Sequence, residues 1–239
     1  MLRCFAFSVL LCLVSAPGIS APLPTSPRAE NVIRHAGAHF AEALEPLGLD
    51  LGEPIYIRIF KEERELELWI EGRSAYTLFK TFPICAVSGT LGPKRKTGDE
   101  QAPEGFYDVV GDRLNPSSVF HLSMNIGYPN AFDRAHHFTG SNIMIHGNCV
   151  SVGCYAMTDA GIDEIYPLVH AALEQNGGRV PVHIFPFRMT DKNLSRHAGD
   201  QNIDFWLQLR PAYDAFEKLH QPPEVKVTGA NYFITPPAP

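Results

Sequence analysis

The sequence lacks a surplus of basic residues, and this absence limits the partners it can have. Its 239 residues carry 20 Lys and Arg against 26 Asp and Glu, a formal net charge of −6. Neutralising nucleic-acid phosphates requires many basic side chains, so the composition argues against a general nucleic-acid binder. Internal repeats are missing, and no apolar run after the first 20 residues approaches the length of a membrane span. We therefore expect no nucleic-acid partner and no stable membrane span.

The first 20 residues have the pattern of a secretory signal peptide. Arg3 supplies a positive charge, and residues 4–14 form an apolar run of about eleven residues. Small residues at which a peptidase can cut follow at 15–21. A transmembrane helix needs about 20 apolar residues, so cleavage is favoured over an uncleaved anchor.

Cysteine is scarce, and its count has a consequence for an exported chain. Of the five cysteines, Cys4 and Cys12 leave with the signal peptide, and Cys85, Cys149 and Cys154 remain. An odd number in an oxidising compartment leaves at least one free thiol. Such a thiol is exposed to oxidation, and catalysis is one reason for keeping it.

Hydrophobic periodicity predicts helices toward both ends of the chain and strands between them. Apolar residues at helical spacing predict a helix over 29–47. Strict alternation then predicts a hairpin of strands 55–60 and 65–70 around a charged turn at 61–64. Further strands are predicted at 76–82, 106–110, 119–125, 142–146 and 180–184. Helices are predicted from the cap residues Thr158 and Asp159 to Gly177-Gly178, with Pro167 inside, and over 205–219.

This order of elements favours an α+β protein with a mostly β core and flanking helices on its N- and C-terminal sides. The chain divides into residues 1–20, the signal peptide, and 21–50, a linker and N-terminal helix. Residues 51–187 form the core domain, and 188–239 form a C-terminal helical extension with a loose, Pro-rich tail.

The stretch 143–155 carries the candidate chemistry. A strand ends at His146, Gly147 turns the chain, and a Ser-x-Gly-Cys sequence places Cys154 eight residues after the histidine. Acyl transfer by cysteine needs a thiolate, an imidazole that takes its proton, and donors for the oxyanion. Gly153 before the nucleophile lets the backbone approach a substrate. An imidazolium lowers the pKa of a neighbouring thiol, and His146 is the candidate partner.

Spacing alone leaves three other interpretations of this stretch. Cys149 and Cys154 can pair as a structural disulfide, although Cys85 is equally available to Cys149. His146, Cys149 and Cys154 also form an H-x2-C-x4-C set for zinc, but no fourth ligand is apparent nearby. Finally, His146 can be a strand-end histidine without a catalytic role.

The motif resembles the signature of the YkuD-type L,D-transpeptidase catalytic domain, an H-G pair followed by S-x-G-C. His146-Gly147 and Ser151-Val152-Gly153-Cys154 match it position by position. Residues 98–107, which end in Pro-Glu-Gly-Phe-Tyr, resemble the T-P-x-G-x-F entry to a core strand in that family. The resemblance covers about residues 50–190.

Several features resemble the YafK-like branch of the family in particular. They include residues 118–133 and 153–166. The H-G to S-x-G-C spacing is shorter than in most members, and Ala156 stands where most carry an arginine. Substrate contacts of that arginine therefore do not transfer to this chain.

The resemblance implies an exported peptidoglycan L,D-transpeptidase in the periplasm of a Gram-negative bacterium. Cys154 would attack the carbonyl of the third stem-peptide residue and expel D-Ala, while His146 moves the proton. The N–H of Cys154, with that of Gly153 or Tyr155, would face the oxyanion. Ser151 and Gly147 would support the motif. No metal or cofactor is implied.

The resemblance does not decide which group accepts the acyl group from the thioester. An amine of another stem peptide makes a cross-link, and a lysine of an outer-membrane lipoprotein makes a tether. Water makes the enzyme a hydrolase of the peptidoglycan–lipoprotein bond, an activity of the YafK-like branch. An inactive wall-binding module is the non-enzymatic alternative. Further candidates for substrate contact or for flanking the cleft are Lys94, Arg95, Lys96, Arg134, His121, His136 and His137.

Overall fold

The computed structural model describes residues 22–237 of the chain. The predicted signal peptide, residues 1–20, lies outside the described residues. Within residues 22–237, no helix is both long and apolar enough to cross a membrane.

Five α-helices, two short 3-10 helices (Glu45–Leu47 and Gly111–Arg113) and twelve strands make up this part of the chain. The helices are α1 Pro27–Leu44, α2 Ala131–Ala135, α3 Asp159–Asn176, α4 Asp191–Arg196 and α5 Ile203–Leu219. The first six strands are β1 Ile55–Phe60, β2 Glu65–Glu71, β3 Tyr76–Pro83, β4 Ala86–Val87, β5 Gly105–Val110 and β6 Leu114–Asn115. The others are β7 Ser123–Asn125, β8 Met144–His146, β9 Tyr155–Ala156, β10 Arg179–Phe185, β11 Glu224–Thr228 and β12 Asn231–Thr235.

The strands form two five-stranded mixed sheets and a hairpin. The first sheet has the order β3-β2-β1-β10-β5, and the second has the order β4-β9-β8-β7-β6. In the second sheet β8 and β9 run parallel, with Ile145 opposite Tyr155. Residues 147–154 must therefore carry the chain back to the starting end of β8, and this crossover contains the H-G and S-x-G-C motifs. The α+β class predicted from the sequence is confirmed.

Strand β1 lies at the centre of the core because both of its faces are buried. Ile55, Ile57 and Ile59 belong to a large apolar cluster that includes residues of α1 and α3. On the opposite face, Phe60 packs in a second cluster with residues of α5. Alternate residues of β1 therefore face two different clusters, and helices cover both faces of the strand.

Helix α3 packs against strands β7 and β8 of the second sheet. The side chain of Thr158 accepts a hydrogen bond from the Gly161 N–H at 3.0 Å, which fixes the start of the helix. Gly177, with φ +62°, ends it. Both boundaries agree with the sequence prediction, and Pro167 is accommodated inside the helix.

Two predicted strands are shorter in the structure. The strand predicted over 119–125 is limited to Ser123–Asn125, and that predicted over 142–146 is limited to Met144–His146. Left-handed residues precede both strands, with φ +69° at His121 and +58° at Asn142, and extended pairing cannot pass through them.

The expectation of a loose C-terminal tail is wrong for residues 224–235. They form the β11–β12 hairpin, in which Tyr232 is buried and stacks on Phe132, with ring centroids 4.4 Å apart. The prolines around the hairpin obscured a pair of alternating strands. Tyr232 attaches this hairpin to the core.

Candidate functional site

The second sheet brings Cys154 and His146 to the same region. The parallel register of β8 and β9 places Met144 level with Cys154, and the Met144 N–H donates to Cys154 Sγ at 3.4 Å. The thiol in turn donates to the Asn142 carbonyl oxygen at 3.7 Å. His146 follows Met144 by two residues, so the two lie on the same strand face. Among the described contacts, no hydrogen bond joins the thiol to the imidazole ring.

A backbone carbonyl sets the tautomer of His146. Its Nδ1 lies 2.6 Å from the carbonyl oxygen of Gly147, which can only accept, so Nδ1 carries the proton. The Nε2 atom is left with its lone pair. The Gly147 N–H is itself anchored, 3.1 Å from the Phe120 oxygen and 3.2 Å from the Leu122 oxygen. The imidazole is therefore oriented without a carboxylate, and it can accept a proton at Nε2.

Position 147 requires glycine because the backbone there is tightly enclosed. A Cβ atom would lie 2.6 Å from an Asp159 carboxylate oxygen and 3.0 Å from the His121 Cβ. The same Asp159 oxygen accepts the N–H of Asn148 at 2.7 Å. The first turn of α3 therefore holds the start of the crossover.

Burial shifts the pKa values of His146 and Cys154 in the direction that favours the uncharged form of each side chain. It lowers the pKa of His146 below the ordinary histidine value, and the Gly147 carbonyl offsets only part of this effect. Burial also raises the pKa of the Cys154 thiol, against the smaller opposite effects of the Met144 N–H and the Lys94 charge. The sequence suggested an imidazolium that lowers the thiol pKa. The structure shows the opposite tendency, because burial favours the uncharged form of both the thiol and the imidazole.

A disulfide closes the crossover. Cys85, just before β4, is bonded to Cys149, and their Cα atoms are 5.2 Å apart. Cys154 is a free, half-buried thiol. The alternative Cys149–Cys154 pairing is therefore wrong, and so is the zinc set, because Cys149 has no thiolate to offer.

The backbone donors expected at the oxyanion are already paired with serine hydroxyls. The Cys154 N–H donates to Ser151 Oγ at 3.1 Å, and the Gly153 N–H donates to Ser88 Oγ. Tyr155 is buried, and its hydroxyl donates to the Pro103 carbonyl at 2.6 Å, away from the thiol. Ser88 was missed by sequence reasoning because it lies 65 positions before Gly153 and belongs to no spacing motif.

The four basic candidates occupy different environments. Lys94 is 5% exposed and forms an ion pair with Asp99, and its charge reaches Cys154. Arg95 donates to the Asn202 side chain at 3.0 Å, and Lys96 is exposed. Arg134 donates to the Pro129 carbonyl. Lys94 is therefore the only member of this set that acts on the thiol.

The other candidates serve neighbouring elements. His121 Nε2 lies 2.7 Å from an Asp163 carboxylate oxygen on α3, so its ring is tied to that helix. His136 Nε2 lies 2.9 Å from the Ala230 oxygen at the tip of the C-terminal hairpin, and His137 is exposed beside it. Ala156 is fully buried in β9, which leaves no space there for an arginine side chain.

The fold and the site define an α+β protein in which a disulfide-closed crossover begins after a histidine at the end of β8 and ends at a free thiol. The sequence matches the L,D-transpeptidase catalytic domain family, YkuD, over residues 54–184. The chain therefore belongs to the YkuD family of L,D-transpeptidase catalytic domains.

Two relatives from Escherichia coli, strains K12 and O157:H7, carry the name "Putative L,D-transpeptidase YafK". Each is 50% identical to this chain over 187 residues, which cover 78% of this chain and 76% of the relative. Among solved structures, the K307A mutant of the helical cell shape determining protein Pgp2 from Campylobacter jejuni aligns with a TM-score of 0.46 at 16% identity. That alignment covers 79% of this chain and 63% of the Campylobacter chain.

Proposed function

We propose that this protein is an exported peptidoglycan L,D-transpeptidase, with Cys154 as the nucleophile and His146 as its base. The proposed catalytic domain spans residues 51–187. The observation that carries the proposal is the free thiol of Cys154, held by the Met144 N–H two residues before a histidine whose Nδ1 is fixed by the Gly147 carbonyl. This arrangement leaves a nucleophile and a proton acceptor, which cysteine acyl transfer requires.

The proposed first half-reaction forms a thioester. Cys154 Sγ attacks the carbonyl carbon of the third stem-peptide residue as its proton passes to His146 Nε2. The carbon–nitrogen bond to D-Ala then breaks, and His146 returns the proton to the leaving amine. In the second half-reaction, an acceptor amine attacks the thioester, gives up a proton through His146, and releases the thiol.

Export is part of the same proposal. Residues 1–20 have a signal-peptide pattern, and the Cys85–Cys149 disulfide is of a kind that persists in oxidising compartments. A periplasmic location gives the enzyme its substrates, peptidoglycan stem peptides, and a second class of acceptor, the lysine of an outer-membrane lipoprotein.

The exposure of the site supports hydrolysis as a second candidate function. Val150 and Val152 on the crossover are 51% and 74% exposed, and Phe120, which packs on His146, is 38% exposed. Solvent therefore reaches these side chains, which lie on the crossover and against the proposed base. The exposed side chains of Val150, Val152 and Phe120 also offer apolar surface for contact with a polypeptide, which fits release of a lipoprotein from peptidoglycan.

Purified stem peptides, incubated with and without a lipoprotein peptide, test the proposal. Linked, tethered and released products differ in mass, so mass spectrometry separates the two candidate functions. We expect Cys154→Ala to abolish all products and His146→Ala to reduce them about 10²–10⁴-fold. His35→Ala is the matched histidine control, because His35 is exposed on α1. A fully active Cys154→Ala enzyme would overturn the nucleophile, and binding without any product would favour the inactive wall-binding module.

A further inference from the structure

Two serine hydroxyls lie against the backbone immediately before the nucleophile. Ser88 follows β4, and Ser151 lies in the crossover, so they come from separate segments. Their oxygens are 3.5 Å apart, and they accept successive N–H groups, those of Gly153 and Cys154 respectively. These are the N–H groups that would otherwise stabilise an oxyanion on the substrate.

The two hydroxyls differ in the acceptors available to their protons. Ser151 Oγ donates its proton to the Cys154 carbonyl oxygen at 2.7 Å, so it accepts and donates within the same loop turn. Ser88 Oγ accepts the Gly153 N–H, and its nearest possible acceptor is Ser151 Oγ at the outer limit of hydrogen-bond length. The Ser88 proton is therefore the one available for a substrate.

The position of Ser88 is well supported. Its carbonyl oxygen accepts the Ala102 N–H at 3.3 Å, and the carbonyl oxygen of Gln101 lies 3.4 Å from where a Cβ on Gly153 would be. Gly153 adopts φ +95°, which aims its N–H at Ser88 and is strained for residues other than glycine. The side chain is half-buried, so it can meet both the backbone and a bound ligand.

We propose that the Ser88 hydroxyl is a catalytic oxyanion donor. It accepts the Gly153 N–H and donates its own hydrogen bond to the substrate carbonyl oxygen, so the polarising effect of that N–H reaches the substrate. As Cys154 Sγ bonds to the carbonyl carbon, the carbonyl π electrons move to oxygen, and Ser88 donates its hydrogen bond to the charge that develops there. The proton stays on Ser88. The hydrogen bond from Gly153 strengthens Ser88 as a donor, because hydrogen bonds in a chain polarise one another. This role rests on the proposed function of Cys154.

Two reactions of the same thiol separate this role from a structural one. A carbapenem acylates a thiol through a carbonyl addition that develops an oxyanion, whereas iodoacetamide alkylates it by displacement at carbon without one. Rates of both are measured on the full mature enzyme by intact mass. In Ser88→Ala we expect acylation to fall about 10²-fold, the typical effect of one oxyanion donor, and alkylation to stay within twofold.

Matched variants complete the experiment. Ser88→Thr keeps the hydroxyl and should retain the wild-type ratio of the two rates. Thr90→Val, on the same loop, removes a hydroxyl that donates only to the carbonyl oxygen of the neighbouring Leu91 and should leave both rates unchanged. Acylation of Ser88→Ala within twofold of wild type, or an equal fall in both of its rates, would overturn the proposal. A wild-type enzyme that is alkylated but never acylated would instead refute the acyl-enzyme function on which it rests.

Discussion

At the residue scale, backbone groups rather than charged side chains hold the proposed nucleophile and its proposed base. The Gly147 carbonyl orients the imidazole, and the Met144 N–H and Asn142 carbonyl hold the thiol. Burial disfavours the charged form of each side chain, so it lowers the pKa of His146 and raises the pKa of Cys154. In the proposed mechanism the proton is therefore transferred during the attack, and the rate depends on pH through each group separately.

The first prediction concerns the acidic limb of the acylation rate. Only neutral His146 can accept the thiol proton, and burial lowers its pKa, so the rate should rise with pH to a midpoint below about 6.5. Carbapenem acylation measured from pH 4 to 8 gives this midpoint, and His146→Ala should remove the limb. A midpoint above 6.5, or a limb that persists in His146→Ala, would contradict the assignment.

The second prediction concerns the charge of Lys94. Because burial raises the pKa of Cys154 and Lys94 offsets part of the rise, Lys94→Met should move the pKa of the thiol further upward. The pH profile of iodoacetamide alkylation should show a midpoint above about 8.5 in the wild type and a higher one in Lys94→Met. Lys96→Met, which changes an exposed charge on the same loop, is the control. An unchanged midpoint in Lys94→Met would exclude this electrostatic effect.

At the scale of elements, the crossover between β8 and β9 is short and conformationally demanding. Asn148 and Cys149 adopt φ values of +66° and +44°, in the left-handed region. Three interactions hold this geometry: the Cys149 N–H donates to the Met157 oxygen at 3.1 Å, Asp159 accepts the Asn148 N–H, and the disulfide joins Cys149 to Cys85. The two motifs are therefore presented by a loop that is closed on both the helix side and the β4 side.

The third prediction measures the contribution of this disulfide to stability. The bond closes a segment of 64 residues, and the loss of unfolded-chain entropy predicts a contribution of about 4 kcal/mol. Urea denaturation should show this loss in the double variant Cys85→Ser/Cys149→Ser, which leaves no unpaired partner thiol. Cys154→Ser, which removes a thiol outside the disulfide, is the control. A double variant as stable as wild type would show that the other contacts alone hold the crossover.

At the scale of the whole molecule, a buried ion pair joins three distant segments. Lys61, just after β1, donates to the Ala102 carbonyl at 2.8 Å and pairs with Glu104 at 3.1 Å. The other Glu104 oxygen accepts the indole N–H of Trp206 on α5 at 2.7 Å. The first sheet, the loop that contains Ser88, and the C-terminal helix therefore meet at one carboxylate.

The fourth prediction tests this junction. Glu104→Gln leaves the Lys61 ammonium buried without its counter-charge, and we expect a loss of about 3–5 kcal/mol in the free energy of unfolding. Lys61→Met removes that unpaired charge, so the double variant should be more stable than Glu104→Gln alone. Chemical denaturation of both single variants and the double variant gives the coupling. Additive losses would mean that the two charges do not depend on each other.

Local pattern determined much of this protein from the sequence alone. Alternation defined the β1–β2 hairpin, the Thr158 cap and Gly177 bounded α3, and the H-G and S-x-G-C motifs pointed to His146 and Cys154. These features depend on residues close together in the chain, where period, capping and turn chemistry act directly. The strand predicted over 119–125 was too long and the expected loose tail was wrong, because a left-handed residue shortened the strand and a distant aromatic contact ordered the tail.

The tertiary structure alone decided how the site works. Cys85 and Cys149 are separated by 64 positions, so spacing could not choose between the possible pairings. Ser88 reaches Gly153 only because β4 pairs with β9. The pKa shifts of His146 and Cys154 are consequences of burial, and burial depends on how sheets and helices assemble around these two residues. The motif pointed to the two candidate residues, whereas long-range packing determined the direction of their pKa shifts and their hydrogen-bond partners.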